Sequence, residues 1–313
     1  MASNHESQLA GTVLMIRPVR FHSNPLTADS NRFQGKTDLS PEAQQAAALA
    51  EFNALADALQ VAGIRVICID DTPDPATPDA IFPNNWITTH ADGTVVLYPM
   101  EAINRRTERR QDVVDTLATE HGFTITRVID LSAHETQGHF LEGTGSLVLD
   151  RVNRIAYACL SSRTHLDALR DFAQRLDYDI VAFDAVDRGG APIYHTNVLM
   201  NVGEELAVVC LEAIPRDDQR RALTGSLEKT GHRIVDITFD QLEAFAGNML
   251  ELRAADGHRV LAMSGQAHQS LTPEQLRAIE ANATIVSAPI DRIEASAGGS
   301  VRCMLAEIHL PHN

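Results

Sequence analysis

WITTHADGTVVLYP (86–99) holds two short apolar runs on either side of Ala91-Asp92-Gly93. β-Branched and aromatic residues fit a pleated, half-buried surface, and Asp and Gly accept the positive φ of a tight turn. The stretch therefore reads as a β-hairpin. It recurs as SLVLDRVNRIAYACL (146–160), VLMNVGEELAVVCL (198–211) and MLELRAADGHRVLAMS (249–264), turning at DRVN, GEE and ADG.

After most hairpins come apolar residues at three-and-four spacing with a charged opposite face, the pattern of an amphipathic helix. These are RRTERRQDVVDTLATEHGF (105–123), SRTHLDALRDFAQRLDY (162–178), PRDDQRRALTGSLEKTGH (215–232) and LTPEQLRAIEA (271–281). Gly122 and Gly231 stand where helix C-caps are expected. A further apolar run closes each copy: TITRVIDL (124–131), DIVAFDAV (179–186), RIVDITFDQL (233–242) and TIVSAPIDRIE (284–294).

The earliest copy reads GTVLMIRPV (11–19), then the helix PEAQQAAALAEFNALADALQVAG (41–63), then IRVICID (64–70). It lacks one strand, and MLAEIHL (304–310) at the other end of the chain lacks a partner. The unit is strand, strand, helix, strand. First strands starting at Ile87, Leu147, Val198, Met249 and Met304 are 60, 51, 51 and 55 residues apart. Five copies at this period predict an α/β fold of the propeller type, five ββαβ units closed by pairing of the chain ends. A doubly wound sheet would place single parallel strands between helices, which the hairpins contradict. No Pro-, Gly- or Ser-rich linker divides the chain, and DDTPDPATPDA (70–80) lies inside a copy, so residues 1–313 are expected to form one catalytic domain.

The 313 residues are 44% hydrophobic and 22% charged, enough for a sizeable core. A formal net charge of −16 argues against nucleic acid or an anionic membrane as partner, since both require a basic surface. Only Lys36 and Lys229 are lysines, so nearly all positive charge is arginine. MASNHESQLAGTVLM shows no basic region followed by an apolar run, and no membrane-length apolar stretch occurs, so neither export nor anchoring is expected. Cys68, Cys159, Cys210 and Cys303 have no C-x-x-C spacing, which indicates neither zinc nor a disulfide framework and fits a reducing cytoplasm.

The residues just before each first strand are FPNNW (82–86), FLEGTGS (140–146), YHTN (194–197), AGNM (246–249) and VRCM (301–304). Equivalent positions of a closed ring converge at one end of its axis. Asn84, Asn85, Glu142, His195, Asn197, Asn248 and Cys303 are thus expected to face one pocket. A cysteine nucleophile needs an activated thiol and a group that protonates what leaves. Cys303, His195 and Glu142 fit those needs. A single His or Glu beside a strand is ordinarily structural; the shared register of three such groups is what points to catalysis. Cys68, Cys159 and Cys210 sit in apolar runs and read as core.

These stretches resemble the guanidine-modifying, or amidinotransferase, superfamily, whose fold is a five-fold α/β propeller of the pentein type. The resemblance covers essentially the whole chain. GGSVRCM (298–304) is similar to the arginine deiminase motif G-G-P-R-C-M, which implies that Cys303 is the catalytic thiol. FLEGTGSL resembles an E-G-G-D stretch and places Glu142 on the acidic catalytic residue. YHTN aligns with H-L-D and makes His195 the acid/base. LSSRT, with Arg163, and NRRTE, with Arg106, are similar to segments that hold the substrate's α-carboxylate. The expected substrate contacts are therefore Phe82, Asn84, Asn85, Asn197, Arg106 and Arg163.

The departures carry information too. Where arginine deiminases have F-T-R-D and H-L-D this chain has FPNN and HTN, so two acids that would pair a guanidinium become Asn85 and Asn197. Gly145 stands where E-G-G-D has its Asp. Burying a guanidinium without enough carboxylates costs several kcal/mol, whereas a neutral ureido group accepts amide donors. Citrulline, cleaved to ornithine, ammonia and carbon dioxide with no metal or organic cofactor, is the expected substrate. The rival readings are an arginine deiminase, a dimethylarginine hydrolase, an amidinotransferase, a ring-fold binding module and a redox-sensing thiol protein. A binding module has no use for Cys, His and Glu in register, and a redox sensor calls for a nearby resolving cysteine.

Overall fold

The computed structural model describes residues 6–35 and 39–312. Its strands are β1 (Thr12–Arg17), β2 (Arg65–Asp70), β3 (Ile87–Thr89), β4 (Thr94–Leu97) and β5 (Arg127–Asp130). They continue as β6 (Val148–Asp150), β7 (Ile155–Cys159), β8 (Asp179–Phe183), β9 (Met200–Val202) and β10 (Leu206–Val209). The last are β11 (Arg233–Asp236), β12 (Leu250–Arg253), β13 (Arg259–Ser264), β14 (Thr284–Ala288) and β15 (Ala306–Glu307). They form five three-stranded sheets in a mixed α/β arrangement.

In four sheets the first two strands make the expected antiparallel hairpin, and the third runs parallel to the second. A parallel partner requires a crossover. Helices Gln111–Thr119, Leu166–Leu176, Asp217–Lys229 and Pro273–Glu280 provide it. The remaining sheet joins the chain ends: β15 pairs antiparallel with β1 through Val13↔Glu307 and Leu14↔Ala306, and β1 pairs parallel with β2.

Local chemistry explains the crossovers. Helix Pro41–Val61 begins at Ser40, whose side chain accepts from the Ala43 amide, with Pro41 in the first turn. It buries Ala48, Phe52, Leu55, Ala56 and Leu59, one face at three-and-four spacing. Gly122 and Gly231 take φ of +74° and +89° just beyond helix ends, as their placement predicts.

Some expected elements differ in detail. Residues 105–123 do not form one helix: a 3₁₀ turn over Ile103–Glu108 precedes helix Gln111–Thr119, because Arg105 and Glu108 turn inward as a buried pair. The runs 233–242 and 284–294 are strands only in their first halves. Phe239–Glu243, capped by Thr238 with Gln241, and Asp291–Ala297 are helices. First strands begin at Ile87 as expected, one residue late at Val148 and Leu250, and two late at Met200 and Ala306, where Thr196–Leu199 and Val301–Met304 coil into a single turn first, as Gly143–Ser146 does ahead of Leu147.

Candidate active site

Those single turns carry the site. Pro83–Asn85, Gly143–Ser146, Thr196–Leu199 and Val301–Met304 each stand immediately before a first strand. Two of them, through Asn85 and Cys303, border a small cavity. Of the residues expected from the register, Asn85, His195 and Cys303 line it, while Asn84, Glu142, Asn197 and Asn248 do not; Phe82 and Arg163, expected from the resemblance, line it too, together with Thr27, Asn31, Asp79, Arg105, Tyr194, Ala297 and Gly299.

Glu142 lies behind His195 and is fully buried. Its Oε2 is 2.9 Å from His195 Nε2, and its Oε1 accepts from the Glu101 amide at 2.9 Å. Arg163 and Arg105 approach the same carboxylate at 3.5 and 3.8 Å. Burial alone would raise the Glu142 carboxyl, but Arg163, His195 and Arg105 outweigh it and hold the group well below the usual carboxylate range. Burial, only partly offset by Glu142, holds the His195 imidazole down to about 4. At neutral pH the pair is therefore a carboxylate and a neutral imidazole. The carboxylate accepts, so Nε2 carries the ring proton and Nδ1 keeps the lone pair of a base.

Cys303 is 3% exposed, and its backbone N–H closes the turn on Ser300 O at 3.0 Å. Its Sγ lies 3.3 Å from Asn248 Nδ2 and 3.5 Å from Asn197 Nδ2. Cys159 and Cys210 are completely buried, and burial pushes both thiols up to about 12. Cys68, expected in the core, is only half-buried on β2 and packs against the core from its edge.

The arginines divide differently from the sequence expectation. Arg106 does not reach the cavity: its guanidinium binds Met100 O at 3.1 Å and pairs with Glu135 at 3.3 Å. Its neighbour Arg105 does reach it. Arg105 donates to Asn85 Oδ1 at 2.9 Å and pairs with Glu108 at 2.9 Å and Asp79 at 3.7 Å. Arg163 lies against the Tyr194 ring, 4.9 Å from its centroid, and pairs with Glu101 at 3.3 Å. Asn84 does not line the cavity. It accepts from Asn85 Nδ2 at 3.0 Å and donates to Thr144, bracing Asn85 from behind.

Segment 24–35 lies over the cavity. Arg163 donates to Ser30 Oγ at 2.7 Å and to Thr27 O at 3.2 Å, and Asn31 Nδ2 donates to Ala297 O at 2.9 Å. The Gly298-Gly299 pair makes this closure possible. A Cβ on Gly298, at φ +64°, would stand 2.4 Å from Gln34 N, and one on Gly299 would stand 2.8 Å from the Phe82 ring. Gly145 answers to the same logic, because a side chain there would strike Asn85 Nδ2 and His195 Nδ1, both at 2.6 Å.

The family model described as N,N dimethylarginine dimethylhydrolase, eukaryotic, matches residues 17–310. The chain belongs to that family. This dimethylarginine dimethylhydrolase family member thus falls among the guanidine-modifying enzymes of the pentein, amidinotransferase-like superfamily. Its fold is similar to that of the N-terminal domain of ArgZ, an arginine dihydrolase from the ornithine–ammonia cycle in cyanobacteria, in a cysteine-to-serine mutant bound to substrate. The TM-score is 0.72 at 18% identity, covering 95% of this chain and 97% of that one. AgrE, in the complex of a cysteine-to-alanine mutant with L-arginine, matches with a TM-score of 0.73 at 16% identity, over 95% of this chain and 40% of its own. A dimethylarginine dimethylaminohydrolase adduct with S-methyl-L-thiocitrulline matches with a TM-score of 0.65 at 14% identity, over 96% and 100%. Among curated proteins no sequence matched. No helix among the described residues is long and apolar enough to cross a membrane.

Arg105, Asp79 and Tyr194 were not singled out from the sequence of this family member. Tyr194 was within reach, being the residue before His195 in YHTN. Asp79 lies in a stretch that reads simply as loop, and nothing local distinguishes Arg105 from Arg106.

Proposed function

We propose that this protein hydrolyses the ureido group of citrulline, giving ornithine, ammonia and carbon dioxide from citrulline and one water. The observation that carries this reading is the occupancy of Glu142. Its carboxylate is already engaged by His195, the Glu101 amide, Arg163 and Arg105, which leaves it no free charge for a substrate guanidinium. The carboxamides of Asn197 and Asn248 stand against the Cys303 sulfur, and those of Asn85 and Asn31 line the cavity beside it. A neutral ureido group can both donate to and accept from carboxamides.

In this mechanism the Cys303 sulfur attacks the ureido carbon while its proton passes to His195. The bond to the departing nitrogen breaks as His195 returns that proton to it, leaving a thiocarbamate on Cys303. Water, deprotonated by His195, attacks the same carbon and the carbon–sulfur bond breaks. The carbamate so released loses carbon dioxide. Arg163 is assigned to the substrate's α-carboxylate, because its guanidinium lines the cavity. The mechanism requires a free thiol, and Cys303 is free.

A second reading, a guanidino amino acid as substrate, is favoured by the Asp79 carboxylate in the cavity wall. Comparing kcat/KM for citrulline, arginine and dimethylarginine decides between them. Citrulline is expected to exceed the other two, and a higher arginine value would defeat the citrulline assignment. Cys303→Ser is expected to lower turnover at least about a thousandfold, a hydroxyl being far less nucleophilic than a thiolate.

We also infer that the five sheets close into a propeller and that the chain forms one domain. Pairing of β1 with β15 supports this, as do the contacts of β15 with β3, β6 with β9, and β9 with β12.

A further inference from the structure

We propose that His139, His165 and Asp167 form a binding site for a divalent transition-metal cation, zinc by the chemistry of its ligands. None of the three lines the cavity beside Cys303, and no step of the reaction proposed above uses them. Two neutral imidazoles and one carboxylate, with water completing the shell, are a ligand set that zinc accepts.

The three side chains converge from two segments. His139 follows the 3₁₀ turn Ser132–Gln137, while His165 caps helix Leu166–Leu176 and Asp167 stands in its first turn. The imidazoles of His139 and His165 stack with centroids 3.7 Å apart and planes within 4°. Both Nδ1 atoms face a single oxygen, Asp167 Oδ2, at 3.7 and 3.9 Å. The other oxygen, Oδ1, turns to Arg170 at 3.4 Å. Zinc bonds of about 2.0–2.2 Å set tetrahedral ligands roughly 3.4 Å apart, so each nitrogen-to-oxygen gap need close by only a few tenths of an ångström. Among the described residues, this is the one group of three His, Cys, Asp or Glu side chains whose ligand atoms all lie within 4.8 Å of one another.

The nitrogens are in the form that binds a metal. His139 Nδ1 is buried with no hydrogen-bond partner, which leaves its desolvation uncompensated. The Asp167 amide donates to His165 Nδ1 at 3.2 Å, so that nitrogen holds a lone pair and the ring proton sits on Nε2. Partial burial, and then His139, hold the His165 imidazole below its ordinary value against the pull of Asp167. Two rings stacked this closely cannot both be charged without strong repulsion. A metal instead joins two neutral rings to one carboxylate and gives His139 Nδ1 a partner. The neighbouring His134 is held separately, its Nε2 3.0 Å from Asp171.

The location gives the metal a mechanical role. His139 stands three residues before Glu142, and His165 two residues after Arg163. The His165 amide donates to Phe140 O at 2.7 Å, and Leu141 bridges Thr164. A metal on both histidines ties together the two segments that carry Glu142 and Arg163.

The test is titration of the full chain with zinc chloride, without substrate, with cobalt(II) as a spectroscopic probe. Wild type and Cys303→Ser should each bind one zinc with equal affinity, and the melting temperature of both should rise with zinc. His139→Ala and His165→Ala should weaken binding at least about a hundredfold and abolish the rise. These side chains are 24% and 40% exposed, so the variants should fold. Bound cobalt should show ligand-field absorption without a thiolate charge-transfer band, as nitrogen and oxygen ligands require. Wild type that binds no zinc overturns the proposal whether or not the variants fold. So does zinc that needs Cys303, a thiolate band in the cobalt spectrum, or undiminished binding in folded His139→Ala and His165→Ala. Each of these outcomes is independent of whether citrulline is the substrate.

Discussion

His195 Nε2 lies 2.9 Å from Glu142 Oε2, and neither side chain is more than 2% exposed. The contact joins the second and third hairpin units through residues 53 positions apart in the chain. It does three things at once: it selects the imidazole tautomer, orients the ring, and gives a buried carboxylate a partner.

Glu142→Gln tests the orienting role. The amide is nearly isosteric but can also donate to the ring, so the tautomer is no longer selected, and Arg105 and Arg163 lose a counter-charge. kcat should fall by about a hundredfold or more, the range for losing a positioned acid/base, with a smaller change in KM. Wild-type kcat in this variant would remove His195 from proton transfer.

The same pair makes stability pH-dependent. His195 titrates near 4 in the folded protein against an ordinary 6.5, so between those values the unfolded chain binds more protons and stability rises with pH. The His195 contribution is complete above the ordinary value and is lost on acidification, at about 1.4 kcal/mol for each pH unit across the window. The depressed Glu142 carboxyl adds a loss in the same direction once the pH falls below its ordinary 4.5. Urea midpoints measured near neutrality and about two pH units lower should separate in the wild type and draw together in His195→Gln.

The arginine assignments predict unequal effects within one motif. Arg106→Ala should leave KM for citrulline within about a factor of two, since its partners are Met100 O and Glu135, outside the cavity. Arg163→Ala should raise KM by roughly tenfold or more through loss of a charge-assisted contact. Steady-state kinetics on the two variants checks the pair, and the reverse order would return the role to Arg106.

Gly145→Ala adds a single methyl between Asn85 and His195, where a Cβ would come within 2.6 Å of both. Overpacking of this kind costs about 1–3 kcal/mol. It should also displace the imidazole, so activity should fall more steeply than thermal stability. Melting curves and kcat measured together test this. An active, undestabilised variant would mean that the turn gives way freely.

The repeat was legible because its marks are local. Asp92-Gly93 in a hairpin, the three-and-four spacing of Leu166, Leu169, Phe172, Ala173 and Leu176, and Gly231 past a helix end each act within a few residues. So does the register of Asn85, Glu142, His195, Asn197 and Cys303 just ahead of a first strand. Equivalent positions in equivalent units meet whatever the detailed packing, so one-dimensional spacing sufficed to collect them.

What only tertiary structure decided is which side chain of a cluster points inward and what it meets there. Arg105 and Arg106 are chemically identical in sequence; the turn of the 3₁₀ helix sends the first to Asn85, Glu108 and Asp79 and the second to Glu135. Asp79 and Asn31 reach the cavity because a loop and a covering segment fold over it, and no periodicity records such a path. The protonation states of Glu142 and His195 belong to the same class. They follow from burial and from charges brought close by packing, and an energy that falls with distance in space is not written in separation along the chain.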